Sequence, residues 1–215
     1  MAELLFTFVN PTRERDMERS CRVLEEGGVI AYPTEVGWAI GCDAANPKAI
    51  DQIRLLKPHH PKEQPFSLLC STITMVSEYC LVGNDAYSYL KKAWPGPYTV
   101  ILPRTKTVAR QLKDKRSVVG VRIPRHDLIL AVIQKWERPI ATTSVPMVDE
   151  QYLRYGYEIE EHFGHGIDLI LDLGEEVLGG ESTIIDMSEG APRLVRLGLG
   201  DPLKFGISPG SEDEF

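Results

Sequence analysis

The chain has no run of about 18 apolar residues, so no membrane-spanning helix is expected. Its N-terminus, MAELLFTFVNPTRERD, lacks a basic segment and reaches Glu3 and Pro11 too early for a secretory signal, which makes the cytoplasm the expected compartment. Cysteine is scarce: Cys21, Cys42, Cys70 and Cys80 include no C-x-x-C pair, and the five histidines do not bracket them at metal-ligand spacing. Neither a metal site nor a disulfide framework is indicated, and four buried or half-buried free thiols are expected. Neither G-x-G-x-x-G nor G-x-x-x-x-G-K-[ST] occurs, which removes the Rossmann fingerprint and the P-loop as routes to a nucleotide. No repeat, low-complexity tract or linker interrupts the chain before its last residues.

An excess of positive charge is also lacking. The net charge of −7 argues against coating nucleic acid by bulk electrostatics. The charge is unevenly spread, however. Between Arg104 and Arg125 stand eight Lys or Arg (Arg104, Lys106, Arg110, Lys113, Lys115, Arg116, Arg122, Arg125) against the single acid Asp114. From Val148 to Glu189 twelve acids face Arg154 alone. The basic stretch is either a local phosphate-facing surface or a solvated helix and turn.

What is present is an alternation of helix and strand signals along 215 residues, a length suited to one sizeable core. LLFTFV reads as a strand, and Asn10-Pro11 as the start of a helix running to Glu26 and stopped by Gly27-Gly28. VIAY is a buried strand. Asn46-Pro47 opens PKAIDQIRLLK, whose Ala49, Ile50, Ile53 and Leu56 share a helical face. FSLLC is a strand, Asn84 to Trp94 a helix, and YTVIL a strand after Pro95-Gly96-Pro97. SVVGVRI, DLILAVIQKW and PIATT repeat the strand, helix, strand rhythm. IDLILD, STIID and RLVRL are late strands, the last two joined at Glu189-Gly190. Alternation predicts α/β layers, and late strands without helices between them predict a twisted mixed parallel/antiparallel sheet around a concave pocket. One domain over 1–206 is expected, with 207–215 an acidic flexible tail.

The least ordinary segment is YPTEVGWAIGCDA, Tyr32 to Ala44, which follows a buried strand and is read as a glycine-bearing turn. Its glycines permit close backbone approach to a ligand, and Thr34 offers a hydroxyl. Loops after buried strands are where α/β folds place sites, although a plain strand-to-loop turn has the same spacing.

From this segment onward the chain resembles the YrdC/YciO family. P-T-E-x-x-x-x-x-G-x-D-A is similar to its first signature. Leu56-Lys57 stands at its K-x-R, Pro95 to Thr99 at P-G-P-x-T, and Gly120 to His126 at V-R-x-P-x-H. Pro139 to Val145 occupies the segment ending in S-x-N, Glu181 to Asp186 matches E-S-T-V-V-D, and Leu194 to Gly198 matches the late L-R-x-G. Seven landmarks in order span residues 32 to 198.

The resemblance implies a YrdC-like fold and the joining of L-threonine, bicarbonate and ATP into threonylcarbamoyl-AMP, with release of pyrophosphate, for modification of adenosine in tRNA. It also implies double-stranded RNA or tRNA as a partner, through residues 104–125. No protein nucleophile is needed for such an adenylyl transfer, so no catalytic side chain is assigned; positioning and cationic stabilisation of phosphates, with Mg2+, carry it. Lys57, His59, Ser144 and Arg196 are then the ATP and phosphate set. Thr34, Arg122, Ser182 and Thr183 are the threonine set. Each has a plainer reading. Lys57 can serve its helix C-terminus, Arg196 can face solvent, His126 can cap the next helix, and Ser182 and Thr183 can be ordinary strand residues. Arg122, inside an apolar strand, needs a partner in any case.

Three departures point to the YciO branch. His59 replaces the arginine of K-x-R and is a weaker phosphate clamp, with Lys62 a substitute charge nearby. Pro146 replaces the asparagine of S-x-N, and FSLLC carries no histidine. The expectations are therefore a synthase or, alternatively, a noncatalytic RNA- or ribosome-associated factor on the same fold.

Overall fold

A computed structural model describes residues 2–9, 11–57, 66–105 and 116–208. Ten strands form one open sheet in the order β1-β8-β2-β3-β7-β4-β6-β5-β9-β10. They are β1 Glu3–Phe6, β2 Ile30–Thr34, β3 Gly37–Asp43, β4 Ser67–Leu69, β5 Tyr98–Pro103, β6 Val118–Arg122, β7 Ile140–Ser144, β8 Leu169–Asp172, β9 Thr183–Asp186 and β10 Arg193–Arg196. Pairings β1·β8, β2·β8, β4·β6 and β5·β9 are parallel, and the other five are antiparallel. The mixed sheet predicted from the late strands is present.

The helices are α1 Glu14–Glu25, α2 Pro47–Leu55, α3 Ile73–Tyr79, α4 Asn84–Ala93, α5 Asp127–Trp136 and α6 Gly156–Phe163. Local chemistry explains the sharpest boundaries. Asn46 accepts from Lys48 N–H and Ala49 N–H while Pro47 occupies the first helical position, so α2 starts where the sequence places it. Helix α5 buries Leu128, Ile129, Val132, Ile133 and Trp136, each contributing on the order of 1.5–3 kcal/mol of transfer free energy. Helix α1 begins at Glu14 rather than Pro11: the Thr12 hydroxyl donates to Val9 O in a preceding turn, and Arg13 stays extended as the N-cap. Asn10 itself lies outside the described residues.

Period-2 alternation sends the two faces of the sheet into two apolar clusters. Ala31, Ile40, Leu68, Val121, Ala141 and Ile170 join the larger one. Ile30, Tyr32, Ala39, Leu69, Ile140 and Leu169 point the other way, into a smaller cluster completed by α1 and α5. The smaller cluster reaches only part of its face. On the remainder of that face hydroxyls, a glycine and Arg122 stand among the apolar groups, and there the sheet is hollow.

Two expectations need correction. Tyr32 to Ala44 is not a loop: Pro33 and Thr34 end β2, and Gly37–Asp43 is a fully buried strand, β3, between β2 and β7. Small residues that let strands approach closely look like turn residues in a sequence. A β-carbon on Gly41 would lie 2.5 Å from Ile140 Cγ2 and 2.7 Å from the Tyr32 hydroxyl. Helices α3 and α6 were also not foreseen, being short and bearing few buried positions. At the C-terminus Ile207 still packs on the core, so the fold runs one residue past 206; residues 209–215 of the expected tail lie outside the described residues. Among the described residues no helix is long and apolar enough to cross a membrane. All four cysteines are free, with Cys42, Cys70 and Cys80 buried and Cys21 half-buried.

Candidate functional site

The hollow is a cavity of about 340 Å³ on that face of the sheet, inside the size range of small-molecule sites. Thr34, Ser67, Thr99, Thr142, Ser144 and Ser182 supply hydroxyls to its wall, and Trp38, Leu69 and Ile184 supply apolar surface. Its floor needs Gly120, where a β-carbon would stand 3.0 Å from Ser67 Oγ and 3.1 Å from Thr99 Cγ2. Three arginines, Arg116, Arg122 and Arg196, reach the same space.

Arg122 ends β6 and is only 8% exposed. Its Nη2 lies 2.8 Å from Glu35 Oε2, an ion pair out of line with the N–H. Nε and Nη2, the side-on edge of the guanidinium, make no hydrogen bond. Both nitrogens are buried, and the Glu35 carboxylate stands against that edge. Glu35 sits in the two-residue turn between β2 and β3, and its Oε1 accepts the Arg125 N–H at 2.9 Å. The Arg125 guanidinium donates to Pro95 O from Nε (3.2 Å) and Nη2 (3.1 Å), while Gly96 N–H donates to Ile123 O. Three of the sequence landmarks are thereby tied into one knot behind Arg122. His126 occupies the N-cap position of α5 without a side-chain cap bond, and its buried Nδ1 has no partner. Burial lowers its pKa, with Glu35 and Asp127 opposing and Arg122 assisting.

The hydroxyls differ in what they have left to offer. Thr34 Oγ1 donates to Gly37 O at 2.7 Å and accepts from Val36 N–H, closing the hairpin turn in which Gly37 takes φ +113°. Thr99 and Ser182 share a 2.9 Å hydrogen bond on the cavity wall. Thr183 points elsewhere. It is fully buried, donates to Gly200 O at 2.6 Å, and accepts from Gly198 N–H and Gly200 N–H at 2.9 and 3.0 Å. Period-2 alternation puts Ser182 in the cavity and Thr183 behind it.

Lys57 follows α2 and extends Nζ to Thr143 Oγ1 and Ser144 O, both at 2.9 Å. Desolvation lowers its pKa to about 8. Arg196, on β10, donates to Ser182 O from Nε and Nη2 and pairs with Glu181 Oε1 at 2.8 Å. Arg196 is therefore not a free surface charge.

Of the eight sequence-chosen residues, Thr34, Arg122, Ser144, Ser182 and Arg196 line the cavity, and Lys57 bonds to Ser144 at its edge. Thr183 is set apart, and His59 and Lys62 lie outside the described residues. Only part of the basic stretch is described. Arg116 and Arg122 line the cavity and Arg125 is bound to Pro95 O; Lys106, Arg110, Lys113 and Lys115 lie outside the described residues. Sequence reasoning missed Glu35, Thr99 and Thr142. Thr99 carried a signal, being a short hydroxyl among the apolar residues of β5, and Thr142 shares the strand parity of Ser144 in β7. Glu35 carried none beyond its place beside Thr34.

Comparison with known proteins covers this same region. The Sua5/YciO/YrdC family profile, described as telomere recombination, matches residues 22–198. The crystal structure of Escherichia coli YciO superposes with a TM-score of 0.87 at 30% identity, over 95% of this chain and all of that one. A threonylcarbamoyl-AMP synthase of Pyrococcus abyssi is 32% identical over 203 residues, which are 92% of this chain and 59% of that protein. The structure of P. abyssi Sua5 complexed with L-threonine gives a TM-score of 0.80 at 28% identity, over 92% of this chain and 57% of that one. The profile and both solved folds include the strands that wall the cavity, and the chain belongs to the Sua5/YciO/YrdC family.

Proposed function

We propose that this chain binds L-threonine, bicarbonate and ATP in the cavity and joins them into threonylcarbamoyl-AMP, the activated group for modification of adenosine in tRNA. The observation that carries the reading is the cavity itself: a hollow walled by hydroxyls and lined by Arg122, Arg196 and Arg116, cationic groups beside short donors and acceptors. In this reading Arg122 is the cation for the amino-acid carboxylate, while Thr34 and Ser182 orient the rest of the molecule. A threonine complex and the name threonylcarbamoyl-AMP synthase among the family relatives support the same substrate class.

In this reading the amine of threonine takes up the carbon of bicarbonate with loss of water, leaving a carbamate. An oxygen of that carbamate attacks the α-phosphorus of ATP, and the bond from that phosphorus to the pyrophosphate oxygen breaks. Lys57, Ser144 and Arg196 serve the phosphates. The pair between Arg196 and Glu181 is half-exposed and weak, so a phosphate can displace the carboxylate. Among the described residues no group of three or more His, Cys, Asp or Glu could hold a metal, so Mg2+ would enter on the phosphates of ATP.

Incubation of the purified protein with ATP, L-threonine and bicarbonate should release pyrophosphate and form the adenylate. Lys57→Ala should slow turnover at least about tenfold, one phosphate contact's share, and Arg122→Ala should abolish it. Turnover no faster than in these variants refutes the proposal.

A further inference from the structure

Lys57 is placed unlike the other described lysines. Lys48, Lys91, Lys92 and Lys135 are exposed, Lys135 pairs with Glu14, and Lys204 lies over the Tyr98 ring. Lys57 is half-buried and held at both ends. Its backbone N–H donates to Arg54 O at 3.1 Å, next to the buried Leu56, and its Nζ reaches across to Thr143 Oγ1 and Ser144 O on β7, each at 2.9 Å. Both partners are neutral oxygens, and no carboxylate joins them among the described residues.

Two acceptors are what a neutral amine can satisfy. An ammonium has three N–H groups, whereas an amine has two and a lone pair. Both forms therefore make the same two bonds, and they differ only at the remaining corner of the nitrogen. In one form that corner is a donor; in the other it is a nucleophile. Burial without a compensating anion favours the neutral form and brings the pKa down to about 8. Such an amine reacts near neutral pH, where an exposed lysine is held as a hydrated ammonium.

We propose that Lys57 is a modification site for carbon dioxide, which its amine takes up as a carbamate that closes the phosphate subsite. The Nζ lone pair attacks the carbon, one C=O π pair moves onto oxygen, and Nζ releases one proton to solvent. Dehydration of bicarbonate supplies the CO2, and no oxidant or other reactant is needed. An anion then stands where the phosphates of ATP are to meet a cation. This rests on the phosphate role given to Lys57 above and adds a control to it: the one-carbon substrate, in excess, turns the site off.

The test uses the full chain equilibrated with isotopically labelled bicarbonate near the folded pKa of Lys57. Trapping with a trialkyloxonium salt and peptide mass spectrometry should place a carbamate on residue 57, and carbon NMR should show a carbamate resonance that Lys57→Arg lacks. Arginine keeps a cation for phosphate and offers no nucleophilic nitrogen. Signal from the α-amino group persists in the variant and serves as the internal reference. ATP titration without threonine should give an apparent Kd that rises as the reciprocal of the unmodified fraction, about twofold at half occupancy, in the wild type and not in Lys57→Arg. No carbamate on residue 57 overturns the proposal, as does equal weakening of ATP by bicarbonate in both proteins, the mark of simple anion competition. A carbamate that leaves ATP affinity unchanged overturns the closing of the subsite. ATP affinity unaltered by Lys57→Ala in bicarbonate-free buffer overturns the phosphate role beneath it, and the mass spectrum then decides the modification by itself.

Discussion

Thr183 separates a motif-based view of the site from a structural one. It belongs to the E-S-T segment and was placed in the threonine set, yet its hydroxyl holds together the backbone of the segment after β10. Replacement by valine keeps shape and strand propensity and removes only the hydroxyl. Three backbone groups then lose their partner: Gly200 O, Gly200 N–H and Gly198 N–H. Gly200 is buried and Gly198 half-buried, so water can reach only the last of them. Leaving a buried polar group unsatisfied costs about 1–3 kcal/mol, so the two at Gly200 sum to about 2–6 kcal/mol. The added apolar methyl offsets about 1 kcal/mol, and the expected loss is about 1–5 kcal/mol. Urea denaturation followed by circular dichroism, with the m-value unchanged, measures it directly. Below the transition the folded variant should keep its affinity for L-threonine within a few-fold. A loss under about 1 kcal/mol, or unchanged stability with collapsed threonine affinity, would show that the hydroxyl serves ligand rather than backbone.

Lys57 carries a pH signature. Its pKa falls from 10.5 unfolded to about 8 folded, so between those values the unfolded chain binds more protons and stability rises with pH. The charge needed for phosphate is lost around the folded value, and ATP affinity should decline from pH 7 to 9; Lys57→Arg should flatten that profile, and an identical decline in the variant would exclude Lys57 as its source. Gly41→Ala forces a β-carbon against Ile140 Cγ2, the Tyr32 hydroxyl and Ala141 O, and should cost about 1–3 kcal/mol in thermal or urea unfolding. Burial pushes Cys42 and Cys80 up to about 12 and Cys70 higher still, whereas Cys21 is half-buried and raised less. Thiol titration of the native protein should find one slowly reacting cysteine, and four after denaturation; rapid reaction of more than one native thiol would contradict the packing.

Helix α2 could be read directly because Asn46 and Pro47 act on their immediate neighbours, and α5 because its apolar residues recur at helical spacing. Strand β3 could not be read that way. Gly37, Gly41 and Ala39 look like turn residues until their neighbours β2 and β7 are known, and what they supply is room for those strands. The order of the landmarks along the chain was enough to identify the family and to pick Thr34, Arg122, Ser144, Ser182 and Arg196 out of the cavity wall. It was not enough to divide Ser182 from Thr183, adjacent hydroxyls that point to opposite sides of β9. Nor could it join Glu35 to Arg122, 87 positions further along the chain. Caps and periodicity act within a few residues and are written locally. Which charge faces which, and which hydroxyl keeps a lone pair for a ligand, follows from the packing of distant strands and exists only in the folded chain.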